Sequence, residues 1–233
     1  MKKMVLFTAF VIAGIASQAQ INFGAHAGIN AASFTDKYPS GTGGQTTTDK
    51  YKTKVGLTVG VVAEMPIASS LFFRPELNFI QKGGKLSQTE TFFGTTIKYD
   101  GTVTTNYLEI PLNVLYKFAT GSGKVFVGAG PSVGYGLSGK SKLKTTSGST
   151  TSEDNANIKF DGKANATDAN VHYKALDFGA NFLAGYQFSN NIFVKASYTI
   201  GLSNISPEDN TTSKNKGFGF TIGYMFGGGS SAE

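Results

Sequence analysis

The chain has 233 residues, 30 glycines, no cysteine, no tryptophan and a formal charge of +6. The missing cysteines exclude a disulfide framework, a thiol nucleophile and a thiolate metal site. Its lysines and arginines form no dense run, so the positive balance reads as solvated surface and no nucleic-acid partner is expected.

Lys2 and Lys3 precede an apolar run over residues 4–15, and Ser17 and Ala19 then put small residues at the −3 and −1 positions of a signal-peptidase site. The run is shorter than the roughly 20 residues of a membrane-spanning helix. Residues 1–19 are expected to be a secretory signal peptide, with the mature chain starting at Gln20.

From there a period of two persists. Ile21, Phe23, Ala25, Ala27 and Ile29 alternate with Asn22, Gly24, His26, Gly28 and Asn30, and Val55, Leu57, Val59, Val61 and Met65 with Gly56, Thr58, Gly60, Val62 and Glu64. Leu71, Phe73, Leu77 and Phe79 oppose Phe72, Arg74, Glu76 and Asn78. Leu108, Ile110, Leu112, Val114, Tyr116 and Phe118 oppose Tyr107, Glu109, Asn113 and Lys117. A fifth segment (125–138) sets large residues against Phe126 and a run of glycines and serines. A sixth (176–188) and a seventh (192–202) oppose Asp177, Asn181 and Gln187, then Lys195, Ser197 and Thr199. The last, residues 217–226, carries Phe218, Phe220, Ile222, Tyr224 and Phe226 on one parity. Side chains alternate across a strand, so each segment has a large apolar face and a small or polar one. Charge falls on the polar parity throughout. The expected fold is all-β, an eight-stranded antiparallel up-and-down transmembrane β-barrel over residues 20–226, with its apolar parity toward lipid.

The connections alternate in length. Those near 67–70, 119–123 and 189–191 are short, and those near 33–53, 82–102, 139–170 and 206–215 are long. Short periplasmic turns and long extracellular loops follow that alternation in outer-membrane barrels, which puts both termini in the periplasm, with 227–233 as a short flexible tail. Phe72, Tyr116, Phe118, Tyr186, Phe188, Tyr224 and Phe226 fit an aromatic girdle near the short turns.

Seven charged residues share the inner parity: Glu64, Arg74, Glu76, Glu109, Lys117, Asp177 and Lys195. Buried charge is costly unless paired, so these are expected to form a structural network that plugs the lumen, since an eight-stranded barrel has an interior just wide enough to be filled by side chains. Arg74 and Glu64 flank the turn at 67–70 and are expected to pair. The glycines of the fifth strand are expected to make room for the long charged side chains. A selectivity filter or ion path is the alternative.

An enzyme would need a nucleophile beside a base. Of two histidines, His26 reads as a lumen residue, and His172 stands before Tyr173-Lys174 without a His-x-Ser arrangement. Glu153, Asp154, Asp161 and Asp168 are scattered loop carboxylates, an acid-based site among them being the remaining enzymatic option. The run 153–157 lacks the spacing of an EF-hand loop. Two sequons, at Asn165 and Asn210, are patterns that Thr-rich loops produce by chance. No catalytic residue, cofactor or metal ligand is assigned.

The runs FGAHAGINA (23–31), FRPELNFIQKGG (73–84) and YLEIPLNVLYKF (107–118) resemble the PorT-like outer-membrane β-barrel family of Bacteroidota. That resemblance implies an eight-stranded barrel of OmpA or OmpX shape in a Gram-negative outer membrane. The residues are read as a non-enzymatic structural, adhesive or assembly component acting through its loops. A small passive channel, a secretion-system component and a lipid-modifying barrel are the alternatives. Expected partners are outer-membrane lipid, the barrel insertion machinery, which the aromatic end of 217–226 would address, and a protein met through the loops, with the barrel itself a monomer.

Overall fold

The computed structural model describes residues 21–40, 45–164 and 167–226; the expected signal peptide (1–19), the start at Gln20, the tail (227–233) and Asn165 of the first sequon lie outside them. Among the described residues eleven strands follow in order: β1 (Asn22–Ser40), β2 (Gln45–Lys50), β3 (Lys52–Pro66), β4 (Leu71–Phe92), β5 (Thr95–Thr120), β6 (Gly123–Ser147), β7 (Thr150–Lys159), β8 (Val171–His172), β9 (Leu176–Gln187), β10 (Ile192–Gly201) and β11 (Thr212–Met225). Eight of them close a ring, β1-β3-β4-β5-β6-β9-β10-β11 and back to β1, every contact antiparallel. β2, β7 and β8 stand outside the ring and extend its rim, β8 lying parallel to β7.

The ring is inverted relative to a water-soluble barrel. Val55, Leu57, Val59 and Val61 are each more than half exposed, whereas Thr58, Val62 and Glu64 on the other parity are buried. Phe218, Phe220 and Ile222 on β11 repeat the pattern. So continuous an apolar exterior is far beyond what a soluble monomer exposes, and it suits a hydrocarbon surround. Two prolines interrupt the ladders: β4–β5 pairing skips the stretch opposite Ile110-Pro111, and β5–β6 pairing skips Gly130-Pro131. Proline offers no N–H to a neighbouring strand.

The two rims differ. At one, β3–β4, β5–β6 and β9–β10 are joined by short turns, and β1 begins and β11 ends there. Pairs of aromatic rings mark this rim on β5, β9 and β11: Tyr116–Phe118, Tyr186–Phe188 and Tyr224–Phe226, with centroids 6.1, 4.8 and 5.7 Å apart. Phe72, expected in the same girdle, instead packs against buried side chains inside the barrel.

At the other rim the strands continue well past the apolar belt, and this corrects the reading of 33–53, 82–102 and 139–170 as loops. β4 and β5 form one hairpin up to a two-residue turn, Phe93-Gly94, with φ of 47° and 80°. Two positive φ values give the turn a twist that matches its strands. β6 and β7 form a second hairpin, and β1 and β2 a third. Both faces of these extensions meet water, so the apolar alternation that marks a membrane strand is absent where the pairing continues.

Candidate functional site in the barrel lumen

The inner parity brings all seven inward-facing charged residues into the lumen, each 6% exposed or less. Nearest the short turns, Lys117 donates to Glu64 and to Gln187 Oε1 (2.9 Å). One layer deeper, Lys195 donates to Glu76 Oε1 (2.7 Å), and Glu76 also receives Asn78 Nδ2 on its other oxygen (3.2 Å) and has His26 Nε2 3.4 Å away. Arg74 lies between the two pairs, 3.8 Å from Glu64 and 3.7 Å from Glu76. Those separations exceed hydrogen-bond range. Both contacts are ion pairs, as expected for Arg74 with Glu64, and the guanidinium is also held by rings, 4.6 Å from the centre of Phe193 and 5.1 Å from that of Phe126.

Toward the hairpin rim is a second cluster with a member that the sequence reading placed in a loop. Lys82 is buried on β4 and joins Glu109 of β5 to Asp177 of β9, with 3.3 Å to Asp177. Asn215 Nδ2 (3.0 Å) and Ser203 Oγ (3.1 Å) complete the shell of Asp177. With Lys82 counted, the buried lumen charges among the described residues are Glu64, Glu76, Glu109 and Asp177 against Arg74, Lys82, Lys117 and Lys195. They cancel.

Also missed was an apolar layer inside the barrel: Val62, Leu115, Phe126, Leu183, Phe193 and Met225 pack together across the lumen at the level of Arg74. Several glycines make room for apolar side chains where the long charged ones were expected, although Gly134 of the fifth strand does lie beside Asp177 and Tyr107. A Cβ on Gly128 would meet Leu115, one on Gly185 would meet Phe126, one on Gly223 would meet Phe193, and one on Gly136 would fall 2.1 Å from Phe160. Between the charge clusters, Asn181 donates to Asn113 (3.0 Å) and accepts from Thr199 (2.9 Å). A cavity of about 30 Å³ lies beside them, lined by His26, Asn78, Glu109 and Thr221 among others. Space and polarity there suit one or two water molecules.

The model of the outer membrane protein β-barrel domain matches residues 16–207, which includes every lumen charge named above. The chain belongs to that family. The match stops short of β11, the strand whose pairing with β1 closes this outer-membrane barrel. Among solved structures it is similar to Neisserial surface protein A (13% identity over 88% of this chain and 97% of that one, TM-score 0.38). It is similar to the attachment invasion locus protein Ail of Yersinia pestis (14%, 87% and 99%, TM-score 0.33). A third likeness is to the outer membrane protease OmpT of Escherichia coli (10%, 90% and 97%, TM-score 0.37). Likeness at this level carries no role across. No curated protein matches the chain in sequence.

Outside the lumen of this outer-membrane barrel, a cluster of titratable groups caps the hairpin rim. His172 on β8 sits between two carboxylates, Nδ1 at 2.7 Å from Asp161 and Nε2 at 2.9 Å from Asp168, and Lys159 Nζ lies 3.0 Å from Asp168. Asp161, then Asp168, hold the imidazole above its ordinary value, and both carboxyls are held below theirs, His172 being the first cause for each. This clip fastens the connection between β7 and β9, from which Phe160 and Tyr173 turn inward over Tyr107, with centroids 5.2 Å (Phe160–Tyr107) and 6.3 Å (Phe160–Tyr173) apart. Of the loop carboxylates, Asp161 and Asp168 are thereby brought together. Glu153 and Asp154 lie on β7 opposite Lys144 and Leu143. Both ring nitrogens of His172 are committed, so this geometry offers an ion clip rather than a free base.

Proposed function

We propose that this outer-membrane barrel is a non-enzymatic structural, adhesive or assembly component whose lumen is plugged and whose hairpins do the work. The filled lumen is the observation that carries the reading. Its inner spaces of about 30 and 10 Å³ adjoin each other, sharing Asn30, Ile80, Thr199 and Gly217, and a wider mouth of about 390 Å³ opens at the short-turn rim beside Glu64 and Lys117. A hydrated ion needs a continuous path, and in this reading the apolar layer packed around Arg74 is what closes it. The charge network then links the walls: four carboxylates balance four cations, so that removing any one partner would leave an uncompensated buried charge.

In this reading the short turns and both ends of the barrel face the periplasm and the hairpins face outward, in keeping with the general plan of outer-membrane barrels. Residues 1–19 serve export, and the aromatic end of β11 addresses the insertion machinery. The PorT-like resemblance of 73–84 and 107–118 supports a Bacteroidota origin. The extensions of β4, β5, β6 and β7 form one paired sheet beyond the belt, with Phe93 fully exposed at its tip. A rigid sheet presents side chains to a partner with less ordering cost than free loops.

The test is conductance in planar bilayers. The folded barrel should show no discrete openings, whereas stable unitary steps would overturn the plug in favour of a channel. Capture from intact membranes, by the full chain and by a chain shortened across 86–101, would then identify a partner that depends on the hairpin.

A further inference from the structure

At the hairpin rim the lipid-facing parity passes from apolar residues to lysines, directly on β11 and within a few residues on β6 and β4. Followed from the belt to the rim, the outward residues of β11 are Ile222, Phe220, Phe218, Lys216 and Lys214, and on β6 Leu137 is followed, across an irregularity in register, by Lys140 and Lys142. On β4, Lys85 stands on the same outward parity as Phe79. All five lysines are exposed, and none makes an ion pair among the described residues. Their cross-strand neighbours carry no negative charge. Lys216 faces Ser33 and Ile200, Lys214 faces Thr35, Lys140 lies between Thr104 and Asn157, and Lys142 between Thr102 and Asn155. Lys85 lies beside Thr102 and directly opposite Lys52, a like-charged pair that is unfavourable without a counter-ion.

Three of the rim's carboxylates are engaged elsewhere, Asp100 with Lys98, Asp161 with His172, and Asp168 with His172 and Lys159, while Glu153 stands opposite Lys144 and lines the same groove as Lys142. The short-turn rim is built differently, with the exposed rings of Tyr116, Phe118, Tyr224 and Phe226 ending the belt. The lysines nearest the belt follow its last apolar side chain directly or within one short step, and a lysine stem can run along apolar surface while its ammonium reaches the polar layer.

We propose that Lys85, Lys140, Lys142, Lys214 and Lys216 form a collar that binds phosphate groups on the lipid headgroups of the leaflet at the hairpin rim. The inference rests on the outer-membrane reading of the chain. Phosphates at that depth lie level with unpaired ammonium groups that point away from the barrel, and each lysine near an anionic surface contributes about fivefold in affinity. A lipid occupant is favoured over a soluble polyanion because the charges border the acyl-chain belt instead of gathering at the hairpin tips.

The experiment uses the full chain folded in neutral detergent, titrated with a diphosphorylated glucosamine-disaccharide lipid and with the same lipid lacking phosphates. The phosphorylated lipid should bind at least about tenfold more tightly, and raising salt should weaken that preference. Replacing the five lysines by Gln should abolish it, whereas Lys50→Gln with Lys163→Gln, at exposed positions outside the collar, should leave it unchanged. Equal binding of the two lipids, an unaffected collar variant, or a soluble sulfated polysaccharide binding as tightly would each overturn the collar. Heat-modifiable gel mobility separates the two readings: a barrel that folds without phosphate preference loses only the collar, and a chain that forms no heat-modifiable barrel loses the outer-membrane reading with it.

Discussion

The guanidinium carbon of Arg74 lies 4.6 Å from the centre of the Phe193 ring, and the Phe126 ring approaches the same carbon at 5.1 Å. Each flanking carboxylate has its own lysine, Glu64 with Lys117 and Glu76 with Lys195. Arg74 therefore acts mainly as a flat, space-filling group within an apolar layer, and its charge completes the lumen's balance.

That division makes Arg74 testable by two substitutions. Arg74→Ala should lower the stability of the folded barrel by about 2–5 kcal/mol, the range for emptying a well-packed site. Arg74→Met should cost distinctly less, because a thioether fills space between rings and contacts them favourably. Urea unfolding in detergent, followed by gel mobility, measures both. Equal losses would show that the charge, not the packing, is what the site requires.

Much of this layer is hidden in the sequence for a physical reason. Parity identifies the strands because lipid demands large apolar groups on one face, but it does not require the other face to be polar. Leu115, Leu183, Phe193 and Met225 sit on that inner face and close-pack there. Lys82 is lost differently: the outward residues beside it, Gln81 and Gly83, are not apolar, so the alternation fades two residues early. Its inner partners continue the even parity without a break, through Asn78, Ile80, Lys82 and Gly84. An inner face with four acids and three bases is itself a sign that one cation remains to be found. The hairpins are legible least of all, since a strand wetted on both sides has no hydrophobic period.

Lys82 and Lys85 provide a matched pair three positions apart on β4, one buried against Glu109 and Asp177 and the other exposed on the outer wall. Lys82→Met should cost about 3–5 kcal/mol, because two carboxylates are left facing each other without their cation. Lys85→Met in neutral detergent should stay within about 0.5 kcal/mol of the parent. Adding Asp177→Asn to Lys82→Met should recover part of the loss. A Lys82→Met barrel as stable as the Lys85→Met one would remove Lys82 from the network.

The His172 clip predicts a pH dependence confined to the hairpin rim. The folded imidazole titrates above its ordinary 6.5, so its stabilising share is complete below that value and is lost as pH rises through the raised one. Asp161 and Asp168 titrate below their ordinary 3.8, so their share is present above that value and lost as pH falls through the lowered ones. The connection around 160–173 should therefore be held most firmly between about pH 4 and 6.5 and loosen on the alkaline side. Amide exchange of that segment across pH, corrected for intrinsic rates, should show the transition. His172→Gln should remove it without altering exchange in β9 to β11.

Gly136 tests whether the aromatic cover is packed or merely adjacent. A Cβ there would stand 2.1 Å from Cδ1 and 2.4 Å from Cε1 of Phe160, well inside contact distance, so the ring must move. Phe160 is also in edge contact with Tyr107, which is fully buried beside Lys82, so displacement of the ring would open the layer above the second charge cluster. Gly136→Ala should destabilise the barrel by about 1–3 kcal/mol, the usual cost of overpacking. The double variant Gly136→Ala with Phe160→Leu should recover part of that loss, since the smaller side chain leaves space for the added methyl. Additive losses in the two single variants and their combination, measured by urea unfolding, would mean that the two positions do not share this contact.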